Sequence, residues 1–94
     1  MNEHTARSLE KIDALMPLLT TLPEGVTRTE LIETTEALRR AVAAFHMEAI
    51  RFRMYSVDRL LKQHVPDPTA RELFEAVRQE LEEAGFHTRS HTAP

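Results

Sequence analysis

Residues 28–64 run without a glycine or a proline. Those two residue types are the main punctuation of a helical chain, so the stretch reads as one uninterrupted helix. At a rise of about 1.5 Å per residue it would reach roughly 55 Å. A compact domain of this size is roughly 30 Å across. The chain has 94 residues, enough for one domain. A helix this long leaves part of its surface beyond the cover of its own chain.

Signals at both ends delimit the run. Before it stand Pro23 and Gly25, then Thr27 with Glu30 three residues on, the spacing of a capping box. Val26 and Leu31 occupy the two positions of a hydrophobic staple. After it come Pro66, Asp67 and Pro68, with Asp67 as the next N-cap and Pro68 in the first helical position. Leu9, Ile12, Leu15, Met16, Leu19 and Leu22 recur at helical spacing and predict a first helix over about 3–22, kinked near Met16 by Pro17. Leu73, Phe74, Val77, Leu81 and Ala84 predict a third helix over 68–84, ended by a left-handed Gly85 with Phe86 folding back on Leu81. Residues 87–94 carry no periodicity and read as a flexible tail.

The expected fold is all-α: one domain over 1–86, with three helices in the order short–long–short. The central helix carries two apolar stripes. Leu31, Leu38, Val42, Phe45, Ala49 and Phe52 form one in its first half. Met47, Ile50, Met54, Val57 and Leu61 form the other in its second half, rotated by roughly 140°. Short connections set each flanking helix antiparallel to one half, giving a staggered, Z-shaped chain. Phe52 and Leu60 then fall beyond the reach of the first helix. Phe45, Ala49, Phe52 and Leu60 are therefore expected at an interface, with a second copy completing the bundle about a two-fold axis.

Composition removes many kinds of chemistry. With no cysteine there is no thiol nucleophile and no thiolate metal site, and two glycines cannot build a phosphate-binding loop. Twelve Lys and Arg against 15 Asp and Glu argue against a nucleic-acid surface. Arg28, Arg39 and Arg40 cluster, but a long straight helix does not supply a helix-turn-helix. No apolar run is long enough to span a membrane, and the polar start is unlike a signal peptide, so a cytoplasmic protein is expected. A helical di-metal site needs Glu-x-x-His, yet Ala43 and Leu61 stand three residues before His46 and His64. His87 and His91 are four apart but follow Gly85 in the tail, so no metal ligands and no cofactor are expected.

One cationic row remains. Arg39, His46 and Arg53 are spaced by seven and lie between the stripes. Partly buried cations require partners. The expected partners are acids of the flanking helices, such as Glu10, Asp13, Glu72, Glu75 and Glu80. The alternative is a small-ligand site for an anion or carboxylate at the subunit interface, in a binding or enzymatic bundle. Glu48 with Arg51 and Asp58 with Lys62 are expected as ion pairs on a solvated face. The function expected is a small homo-oligomeric, non-enzymatic interaction, adaptor or regulatory module. Its partner is itself or another helical protein.

Overall fold

The uninterrupted run folds into two helices. In the computed structural model, which describes residues 3–85, the chain forms α1 (Glu3–Leu19), α2 (Val26–Ala44), α3 (Met47–His64) and α4 (Pro68–Glu83). The expected single helix over 28–64 is thus corrected at Phe45 and His46. Phe45 adopts the left-handed conformation, with φ 50° and ψ 45°. Its N–H donates to the Val42 carbonyl and that of His46 to the Ala41 carbonyl, both at 2.9 Å. These are the two bonds of a Schellman end, made here without the glycine that usually permits it. His46 then starts α3: its Nδ1 accepts from the Ala49 N–H at 3.3 Å, in the manner of an asparagine N-cap.

Energetics explain why the chain breaks there. A left-handed non-glycine residue costs about 1–2 kcal/mol. Two stripes rotated against each other cannot face one core from a straight helix. Turning back at residues 45–46 brings Ile50, Met54, Val57 and Leu61 against the core that already holds Leu31, Leu38 and Val42, all of them buried. Each such side chain contributes about 1.5–3 kcal/mol on burial, so the fold-back outweighs one strained residue.

α1 packs most extensively along α4, and α2 along α3; α1 also contacts α2, and α3 and α4 share a smaller contact. Ile12, Leu15 and Leu19 from α1 and Phe74, Val77 and Leu81 from α4 complete the core. The radius of gyration is 12.5 Å and the longest dimension 35 Å, so the length argument for a second copy no longer applies.

Other boundaries shift as well. α1 continues through Pro17 but ends at Leu19, where the hydroxyls of Thr20 and Thr21 donate to the carbonyls of Pro17 and Leu18. The capping box does not form: α2 begins at Val26 after Gly25, whose φ of 149° favours glycine, and no side chain among the described residues caps it. Val26 is 84% exposed, so it cannot staple onto Leu31, which faces the core. Asp67 caps α4 as expected, its Oδ1 accepting from the Thr69 N–H at 2.9 Å. Gly85 is left-handed, with φ 97°. Phe86, the tail over 87–94 and its two histidines lie outside the described residues.

Candidate functional site

The break disperses the cationic row. Arg39 turns toward α1, where its Nε and Nη2 donate to the Asp13 carboxylate at 2.6 and 3.1 Å. This is one of the ion pairs expected from the flanking helices. His46 is spent on capping α3. Arg53 lies over the Phe52 ring, 5.1 Å from its centroid, and lines a groove between α2 and α3. Three residues that would share one face of a continuous helix thus meet three different surroundings.

The groove between α2 and α3 has a volume of about 470 Å³. Glu30, Glu33 and Arg40 line it from α2, and Phe52, Arg53, Arg59 and Leu60 line it from α3. Leu60 is itself 4% exposed and belongs to the core of its own chain, so it is not available to an interface as expected. Ala49 is half-buried against the same core. Phe45 and Phe52 are exposed, and Met47 and Tyr55 join them. Apart from Val26, every large exposed hydrophobic among the described residues thus lies within 45–55. On α3 the buried residues Ile50, Met54, Val57 and Leu61 face inward, and Phe52 and Tyr55 stand on the opposite side. The Glu48–Arg51 and Asp58–Lys62 pairs form on this helix at 3.5 and 3.1 Å.

Two polar clusters were not anticipated from the sequence. At the α1–α4 contact, Arg7 Nε donates to both oxygens of Glu80 at 3.2 and 3.1 Å, and Arg7 Nη1 meets Glu3 at 2.8 Å. His4 Nδ1 stands 2.9 Å from Glu80 and 3.0 Å from Arg7 Nη2. That nitrogen serves one partner at a time: protonated, it donates to Glu80; unprotonated, it accepts from Arg7. His4, Glu80 and Glu83 place ligand atoms within 4.8 Å of one another. The Arg7 guanidinium already holds both Glu80 oxygens, however, and its charge opposes a cation at the same place. The cluster is read as a clamp between helices.

The second cluster is Arg78, buried at the α3–α4 contact. It meets Asp58 at 3.6 Å and bonds Glu75, and its guanidinium lies 5.3 Å from the centre of the Phe74 ring. Its Nε has no hydrogen-bond partner among the described residues. Arg78 follows Phe74 by four residues and precedes Leu81 by three, so it sits on the edge of the α4 stripe. That spacing was the signal for its burial.

The Asp13 carboxyl is held below its ordinary range by the hydrogen bonds from Arg39. Glu80 is held low first by His4 and then by Arg7. A depressed folded pKa contributes stability above the unfolded pKa and loses it as pH falls through the folded value. The melting temperature should therefore drop as pH is lowered below about 4. In Asp13→Asn/Glu80→Gln that drop should be shallower. An acid limb of the melting curve identical in the two proteins would contradict these pairings.

Comparison with known proteins gave no counterpart: no family model, no curated protein and no solved structure matches the chain.

Proposed function

We propose that the protein is a non-enzymatic helical interaction module that associates with itself through the α2–α3 corner and the outer side of α3. The observation that carries this reading is the confinement of Phe45, Met47, Phe52 and Tyr55 to one short segment. Exposed aromatic and methionine side chains gathered in one place are costly to leave in water and mark contact surfaces. Phe45 adds weight: glycine would suit its backbone better, yet a large aromatic is kept there, half in solvent.

Dilution calorimetry tests the reading. Injecting concentrated protein into buffer should release the heat of a dissociating complex, and Phe52→Ala should reduce it to the heat of simple dilution. Phe52 is 59% exposed, so its truncation should change the unfolding free energy of the single chain by no more than about 0.5 kcal/mol. Equal heats from both proteins would place the contact elsewhere.

The groove supports a second reading, an anion held by Arg40, Arg53 and Arg59, none of which belongs to an ion pair among the described residues. It retains Arg53 from the expected row and replaces Arg39 and His46. Sulfate should then raise the melting temperature above chloride at matched ionic strength, and Arg53→Met should abolish the gain. No sulfate-specific gain would dismiss it.

A further inference from the structure

The outer side of α3 has an internal symmetry. Glu48, Phe52, Tyr55 and Arg59 follow one another at spacings of four, three and four residues, which puts them on one stripe of the helix. All four are exposed. The two aromatics occupy the middle of the stripe. Glu48 and Arg59 stand equally far from their midpoint, in opposite directions and with opposite charge. Among the described residues Glu48 forms an ion pair with Arg51, at 3.5 Å, and its side chain is 88% exposed. Arg59 belongs to no ion pair among the described residues.

A stripe ordered acid, aromatic, aromatic, base is complementary to itself when reversed. We infer that two copies of the chain pair antiparallel along α3, with Phe52 of each copy against Tyr55 of the other and Glu48 of each against Arg59 of the other. This rests on the self-association reading above and supplies its geometry. A two-fold axis through the midpoint of Phe52 and Tyr55 satisfies both aromatics and both charges at once, as an isologous contact requires. A foreign helix would have to match the same order of groups by coincidence, whereas a second copy matches it by symmetry. The aromatic centre supplies buried area, and the flanking charges set direction and register. A parallel arrangement would bring Glu48 against Glu48 and Arg59 against Arg59, so the charges also reject the wrong orientation.

The order of charges dictates the test. Glu48→Arg and Arg59→Glu are made separately, combined in one chain, and mixed as two single variants. Residues 48 and 59 are about 16 Å apart along one helix, too far to meet within a chain, so any rescue between them is made across copies. Each single variant places two like-charge pairs in the antiparallel dimer, and its dissociation constant should rise at least about tenfold. The doubly reversed chain should return to near wild-type affinity. An equimolar mixture of the two single variants should form a heterodimer, since each copy then offers the charges that the other lacks. Both sites are exposed, and far-UV circular dichroism should show unchanged helicity in every variant. If wild type dimerises but neither the doubly reversed chain nor the mixture recovers association, the antiparallel pairing is wrong and self-association stands. If wild type is monomeric throughout, the reading beneath it fails too.

Discussion

Phe74→Ala should cost about 3–5 kcal/mol of folding stability, the largest loss of any single truncation in this chain. Phe74 is among the largest fully buried side chains, and it belongs to the cluster that joins all four helices. Its position multiplies the effect. α3 and α4 have little other contact, and the ring is also the surface on which the buried Arg78 guanidinium rests. Removing the ring opens a cavity at a thinly packed seam of the bundle and strips apolar cover from a charge. Small domains hold roughly 5–15 kcal/mol in total, so the variant should lie near the edge of folding. Urea denaturation should show the midpoint falling by about half with little change in slope. A loss below about 1 kcal/mol would mean that α4 does not depend on Phe74 for its seat.

Arg78 should behave in the opposite way from what its partners suggest. Arg78→Met should leave stability within about 1 kcal/mol of wild type, or raise it, because the thioether fills similar space without a charge to desolvate. Asp58→Ala/Glu75→Ala should cost about 3 kcal/mol or more, because it strands the guanidinium in the seam. The contrast follows from geometry. Asp58 stands at 3.6 Å and Nε has no hydrogen-bond partner among the described residues, so the site is incompletely satisfied even before mutation. Thermal and urea unfolding of the two variants side by side decide it. A severe loss in Arg78→Met with a mild loss in the double variant would show that the arginine is a net stabiliser.

Much of the fold was legible in the sequence, and the principal error has a physical cause. Apolar periodicity pointed to the all-helical class and to much of the core, from Ile12 through Leu81, but it also put the exposed Phe45, Met47 and Phe52 on the apolar stripes. Asp67 and Pro68 announced the start of α4 because both act locally, within one turn. The break at Phe45 and His46 was missed because neither residue breaks helices. The left-handed conformation is imposed by tertiary packing rather than chosen by Phe45. A sign of it was present: the two stripes change phase near residues 45–47, and a helix whose apolar side jumps must either find two partners or bend. A capping box at Thr27 was misread for the converse reason. Its residues fit the pattern, but Gly25 let the helix begin earlier and carried Thr27 inside it.

The candidate site was legible only in fragments. Phe52 was expected beyond the cover of the first helix, and it is exposed in the single chain; the Arg39–Asp13 pair fell among the expected ones. Leu60 was misplaced because its side was read from a continuous helix, and a shift of phase at residue 45 turns it into the core. The Arg7–Glu80–His4 clamp joins opposite ends of the chain, which no local spacing reveals.

The central claim is self-association through the segment 45–55. Sedimentation equilibrium of the wild-type chain, from low micromolar to sub-millimolar concentration, tests it most directly. The account predicts a weight-average mass that climbs from one chain to two and then levels off. A mass that stays at one chain up to the highest concentration would contradict it.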